Sequence, residues 1–405
     1  MSWKRVWVLV LVILLAFGAC TRSQAAGVPT QLQPPAEPEE SMLVAALAAA
    51  QATLSLPCKA ALLMSSDTGE ILYEMNADEE LAMASITKVM TLLLTFEAME
   101  AGKVHMEDLV PVSEHAFSMG GSQIWLEPGE QFTLDEMVKA ICVNSANDAA
   151  VAVAEFVGGS EPAFVEQMNA RAAALGMTHT CFKNACGLDE DGHYSSARDV
   201  AVMSLELMKH TKVFEYTQIW TDTLRGGQTQ LTNTNKLLRR YEGITGLKTG
   251  TTGRAGVCIS ATATRGGTGF IAVVLGSPSS KDRFDAATAL LDYGFANFER
   301  ADIPPVEGLP QQLPVSGGCE QSVALACELP TGLLVKKGEA ATLRCELALE
   351  ETLQAPVAQG QQVGQVSLYS GEVLLQQYPV VTKQAVEQMS FALALELLRK
   401  ALFAL

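Results

Sequence analysis

The chain has 405 residues, 48% of them hydrophobic, and a formal net charge of −17. That length suits two or three domains with a full apolar core. The acidic balance speaks against nucleic acid as a partner, because phosphate binding needs a basic surface; it leaves open an anionic substrate held in a local basic pocket.

The N-terminus reads as an export signal, residues 1–25. Lys4 and Arg5 precede an apolar run from Val6 to Ala19, too short to span a membrane comfortably but suited to a signal core. Two cleavage readings compete. One cuts after Ser23-Gln24-Ala25. The other takes Gly18-Ala19-Cys20 as a lipobox with Cys20 lipidated, although Phe17 is not the aliphatic residue such boxes usually carry. Residues 26–44, with Pro29, Pro34, Pro35 and Pro38, read as an extended linker.

Residues 60–64, a turn at Asp67-Thr68-Gly69 and residues 71–73 predict a β-hairpin. An apolar helix over 85–101 stops near Gly102. Helical character over 134–157 is broken around Asn144–Asn147, and further helices are predicted over 161–175 and 197–209. Two strand-like runs, 255–264 and 270–276, flank the turn Arg265-Gly266-Gly267-Thr268-Gly269, and 281–297 returns to helix. Strands thus bracket a helical middle. This predicts one α/β (α+β) domain over 45–300, an antiparallel sheet built from both chain ends around a helical cluster.

Pro304, Pro305, Pro310 and Pro314 mark the next boundary, and 301–382 reads as a small all-β domain with turns at Gly317-Gly318, Lys337-Gly338 and Ser370-Gly371. The segment 383–405, rich in Leu, Ala and Phe from Gln384 on, reads as an amphipathic helix. It either docks on the β domain or lies in a membrane surface. Nine scattered cysteines form no CxxC pair, and Cys142, Cys186 and Cys258 read as buried thiols. Cys319, Cys327 and Cys345 leave room for one bridge. Five histidines show no metal-ligand spacing, so no metal or cofactor is expected.

Three short motifs carry chemistry. In Ser85-Ile86-Thr87-Lys88, positions i and i+3 share one helix face, so hydroxyl and amine meet, and a neutral lysine can serve as the serine's base. In Ser145-Ala146-Asn147 a hydroxyl and an amide two residues apart can point into one cleft; the plain alternative is a helix break with an Asn cap. In Lys248-Thr249-Gly250-Thr251 an ammonium and a hydroxyl on an edge strand suit a substrate carboxylate, and Gly250 permits close approach of another backbone; the alternative is a turn. Each is weak alone. Their conjunction in this order, 60 and then 103 residues apart, is the pattern of penicillin-recognising serine enzymes.

On these motifs the chain resembles the low-molecular-weight serine D-alanyl-D-alanine carboxypeptidases, a penicillin-binding protein family. The likeness runs from about residue 45 to 298 and more loosely beyond. Flanking stretches share it: Ala84, Phe164 to Asn169 with Leu175-Gly176-Met177, Gly187-Leu188 with His193-Tyr194-Ser195, and Thr232 to Asn235. Cys186 departs from it. The resemblance implies a β-lactamase-like fold and removal of the terminal D-alanine from peptidoglycan stem peptides ending in D-Ala-D-Ala. The route is an acyl-enzyme on Ser85 that β-lactams trap, at the outer face of the cytoplasmic membrane or in the wall. It implies Lys88 as base, Ser145 and Lys248 together returning a proton to the leaving amine, and Asn147 as a substrate holder. The backbone N–H groups of Ser85 and Thr251 would form the oxyanion hole. Lys248, Thr249 and Arg283 would bind the terminal carboxylate; for Arg283 the alternative is a surface charge at a helix start. Two other functions compete: a β-lactamase, which needs a second base such as Glu166, here read as solvated surface, and a non-catalytic wall-binding scaffold.

Overall fold

The computed structural model describes residues 54–395. The readings of 1–25 as a signal, of Cys20 as a lipidation site and of 26–44 as a linker lie outside the described residues.

A five-stranded antiparallel sheet forms the frame. Its strands are β1 (Ala60–Ser65), β2 (Ile71–Met75), β3 (Ile244–Thr252), β4 (Gly256–Arg265) and β5 (Thr268–Ser277). The order is β2-β1-β5-β4-β3, so β3 is an edge, and β1 pairs with the distant β5 inside the sheet, Ala61 opposite Val274. Side chains alternate between faces. Leu62, Met64, Ile271 and Val273 join the core on one face, while Ala61, Leu63, Ala272 and Val274 join the core on the other.

The first face carries the helical middle: α1 (Lys88–Glu100), α2 (Leu134–Val143), α3 (Asn147–Gly158), α4 (Glu161–Ala174) and α5 (Ala197–Met208). Helix α1 is buried from Lys88 through Phe96, as expected of a helix apolar all round at the centre of a domain. Its first residues continue a 3₁₀ turn, Ala84–Thr87. Helix α2 starts on a reciprocal capping box between Thr133 and Glu136. The second face carries α6 (Ser280–Asn297), capped by Ser279.

Beyond the short ribbon of Phe298–Ala301 with Leu333–Lys336, residues 312–382 fold around a separate apolar cluster that includes Val315, Val323, Val366, Leu368 and Val380. Their main strands are β6 (Gln312–Ser316), β7 (Ser322–Ala326), β8 (Leu343–Leu349), β9 (Gln362–Ser370) and β10 (Val373–Thr382), in the order β8-β9-β10-β7-β6.

The expected terminal helix from Gln384 needs correction. Residues 384–390 are not helical, and helix begins only at 391. Val386 is 1% exposed and exchanges two 2.9 Å backbone bonds with Val357. Filling the β core with this one valine holds its neighbours extended, whatever their helical propensity. Residues 396–405 lie outside the described part. All eight described cysteines are free, Cys319, Cys327 and Cys345 included.

Candidate active site

The 3₁₀ turn at the head of α1 buries Ala84, Ile86 and Thr87 and leaves Ser85 half-exposed. Its hydroxyl lies 3.0 Å from Lys88 Nζ. That amine also donates to Asn147 Oδ1 at 2.6 Å and to the Cys186 carbonyl at 2.7 Å. Lys88 is fully buried, and burial pulls it down to about 8; the Cys186 thiol and the Asp148 carboxylate oppose the shift.

Ser145 and Asn147 stand between α2 and α3. Ser145 takes a left-handed backbone, φ 60°, a conformation costing an ordinary residue about 1 kcal/mol. Its hydroxyl accepts from Lys248 Nζ at 2.7 Å, a bond bridging 103 residues of chain. Asn147 is no helix cap: Ala146 occupies that position without a side-chain bond. The Asn147 amide instead joins Lys88 to the Gly120 carbonyl, 2.7 Å away.

The edge strand β3 closes the other wall. Lys248 is buried and well below the usual ammonium range, chiefly by desolvation and secondarily by the charges of Lys88 and Arg283. It donates to Ser145 and to the Thr249 carbonyl, so one N–H of its ammonium form is left for a ligand. Thr249 Oγ1 donates to Thr234 Oγ1 at 2.7 Å. Gly250 needs its missing side chain: a Cβ there would fall 2.8 Å from the Met83 carbonyl and 2.9 Å from Ser85 N. Thr251 follows, exposed, its hydroxyl bonded to the Gly250 carbonyl.

Arg283 is 5% exposed, which rules out a surface charge. From α6 it reaches the Gly250 and Cys258 carbonyls at 3.3 and 3.2 Å, and its Nε has no partner. Burial pulls it down to about 10. Among the described residues no carboxylate pairs with Lys88, Lys248 or Arg283. Three buried basic side chains without a carboxylate partner make this region ready for an anionic ligand, on a chain that is acidic as a whole.

Sequence reasoning missed the groups that hold these residues. Buried Asp148 binds the Ile124, Leu126 and Ala149 amides. Glu161 fixes Ala185 N at 2.9 Å, next to the Cys186 carbonyl that receives Lys88. Glu166 is exposed, as read; Asn169 is instead clamped to the Phe182 backbone. No cluster of three His, Cys, Asp or Glu that could hold a metal occurs among the described residues.

A serine backed by a buried lysine, with a second lysine on a facing strand, defines a serine acyl-transfer enzyme of the penicillin-recognising class. Residues 46–279 match the family model described as D-alanyl-D-alanine carboxypeptidase, and 306–388 match that of the penicillin-binding protein 5 C-terminal domain. The chain is 42% identical to the D-alanyl-D-alanine carboxypeptidase DacF of Bacillus subtilis, over 84% of this chain and 88% of that one. Identity to DacC of Escherichia coli is 33%, over 85% and 88%. Among solved structures, penicillin-binding protein 5 of Haemophilus influenzae superposes with a TM-score of 0.73 at 30% identity, covering 83% of this chain and 99% of that one. Penicillin-binding protein D2 of Listeria monocytogenes, in its cefotaxime-bound form, gives 0.56 at 34%, covering 60% and 99%. The chain belongs to the D-alanyl-D-alanine carboxypeptidase family, and it is a serine-type carboxypeptidase with the penicillin-binding-protein fold.

Proposed function

We propose that Ser85 Oγ attacks the carbonyl between the last two D-alanines of a peptidoglycan stem peptide, and that Lys88 takes its proton. The observation that carries this is the hydrogen-bond set of Lys88. A neutral amine has two N–H donors and one lone pair. Two carbonyl oxygens, Asn147 Oδ1 and Cys186 O, accept the two N–H groups, which turns the lone pair to Ser85 Oγ. Asn147 thereby orients the base as well as lining the cleft.

Lys248 and Thr249, backed by Arg283, receive the terminal carboxylate; burial and then the Lys88 charge disfavour a proton on Lys248, and an arriving anion favours it. The Ser85 and Thr251 N–H groups stabilise the oxyanion. The C–N bond then breaks, and a proton passes through Ser145, held by Lys248, to the departing D-alanine amine. Water hydrolyses the ester and restores the Ser85 hydroxyl. A β-lactam follows the first half of this course, its carboxylate on Lys248 and Thr249, and stays on Ser85. Among the described residues neither glutamate stands ready as a second base for rapid hydrolysis: both Glu161 oxygens are engaged, by His115 and Ala185 N, and Glu166 is exposed.

We place the enzyme outside the cytoplasmic membrane, at the wall, with the C-terminal segment touching the membrane surface. Among the described residues no helix is long and apolar enough to cross a membrane. The test is mass spectrometry of a pentapeptide ending in D-Ala-D-Ala. One D-alanine should be released, and Ser85→Ala should abolish both release and labelling by fluorescent penicillin. Fast turnover of nitrocefin, or a wild type that takes no label, would overturn the reading.

A further inference from the structure

The peptide group between Ala84 and Ser85 carries two opposite duties. Its N–H is the oxyanion donor of the proposed mechanism, so its plane must be held; its C=O faces inward. That carbonyl accepts from Thr87 Oγ1 at 2.9 Å. A threonine bonding back to residue i−3 is ordinary in a helical turn. Here the hydroxyl is also bound from behind: His193 Nε2 lies 2.7 Å from it, both groups buried. The other ring nitrogen, Nδ1, accepts from Lys183 N at 3.0 Å.

Both ends of this chain have fixed polarity. The Lys183 amide can only donate, and the Ala84 carbonyl can only accept. Nδ1 is therefore the lone-pair nitrogen and Nε2 carries the proton. Each bond points one way: Lys183 N–H to His193, His193 to Thr87, Thr87 to Ala84. Only neutral imidazole completes the sequence, since a proton on Nδ1 would face the Lys183 N–H. Burial keeps the ring neutral, down to about 4; among nearby charges Asp189 opposes this and Lys183 adds to it. The edge of Phe182, with ring centroids 6.0 Å apart, fixes the imidazole plane.

Packing singles out the same peptide independently. A Cβ on Gly187 would fall 2.0 Å from the Ala84 carbonyl oxygen and 2.9 Å from Ser85 N, and one on Gly250 would fall 2.9 Å from Ser85 N. Two glycines from distant segments thus close on one peptide unit, and Ala84 itself has φ 52°. Such closeness confines the unit without choosing its rotation; the hydrogen-bond chain supplies the direction.

We propose that His193 is a positioning residue which, through Thr87, aims the Ser85 N–H at the developing oxyanion. This rests on the oxyanion-hole assignment above. His193→Leu and Thr87→Val should each slow acylation about 10- to 100-fold, below the loss for deleting an oxyanion donor outright, with KM for the pentapeptide within about twofold. The double variant should lose no more than either single one, because both cut one chain. His193→Gln and Thr87→Ser, which keep the donor and acceptor, should restore most of the rate.

The decisive probe is a peptide boronic acid ending in the D-alanine analogue, whose tetrahedral oxygen enters the hole. Boronate should shift the Ser85 amide resonance of wild type and of His193→Gln, and shift it less in His193→Leu and Thr87→Val. A wild-type resonance that does not respond would remove the oxyanion assignment and this proposal with it. A responsive wild type with His193→Leu and Thr87→Val acylating within twofold of it would remove this proposal alone. So would a loss confined to KM, or a His193→Gln as slow as His193→Leu. Should His193→Leu fail to fold, the Thr87→Val and Thr87→Ser pair reads the same chain.

Discussion

The interior of residues 54–300 and the interior of the strands that follow are built differently. The first buries Lys88, Asp148, Glu161, His193, Asp199, Lys248 and Arg283, along with many hydroxyls; among the described residues beyond 300 the buried polar ones are Ser367 and Thr382. A buried charge costs several kcal/mol unless its surroundings satisfy it. The first region accepts that cost where the atoms must be held for chemistry. The second has only apolar burial to keep, so its residues can change in ways the first cannot tolerate. Removing single groups should expose this contrast.

The largest effect belongs to Lys88→Ala. Acylation by fluorescent penicillin should fall by about 10²- to 10⁴-fold, the range of a lost general base. Near wild-type labelling of that variant would mean another group takes the proton. Lys248→Ala should cost less, about 10- to 100-fold in kcat/KM, the value of one charged hydrogen bond of roughly 1.5–3 kcal/mol. The loss should fall on substrates bearing the terminal carboxylate. An ester analogue lacking it should lose less, only what comes from Ser145 no longer being held by Lys248. Equal losses on the two substrates would mean that Lys248 acts through Ser145 alone and does not bind the carboxylate.

A smaller effect is available without mutation. The base works when neutral, and Lys88 is held to about 8 against an ordinary 10.5. Its neutral fraction grows as pH rises through that value, so acylation should climb about tenfold from pH 7 to a plateau above 8. The apparent midpoint belongs to the Lys88–Lys248 pair rather than to one amine. A rate flat from pH 6 to 9 would mean that the group taking the proton does not titrate there, against a base held near 8; a rise centred near 10.5 would mean that the amine is solvated.

Most of the catalytic frame was legible in the sequence because its signals are local or ordered. The β1–β2 hairpin shows as two apolar runs around Asp67-Thr68-Gly69, and the gap between α2 and α3 shows as polar residues in an apolar stretch. The three motifs were recognisable through their order and spacing. What could not be read was how long-range bonds would use ordinary residues. Asp148 follows Asn147 in sequence and looks like a helix-start acid, yet it pins three amides. His193 and Thr87, 106 positions apart, carry no local sign of contact. Arg283 looked equally suited to a surface, and its burial depends on how α6 packs on the sheet. Residues 384–390 misled for the converse reason: their composition suits a helix, while the β core claims Val386.

The smallest expected effect on catalysis sits in that second interior. Val366 is fully buried in β9, within a cluster that shares no member with the two cores flanking the catalytic sheet. Val366→Ala removes two methyl groups and should cost about 2 kcal/mol of local stability, by transfer and cavity together. The thermal transition of the β region should therefore move down, while labelling of Ser85 at 25 °C stays within twofold of wild type. Calorimetry read beside fluorescent-penicillin labelling checks both halves. If labelling falls tenfold while the protein is still folded, the two interiors are coupled, and the polar one depends for its geometry on the apolar one.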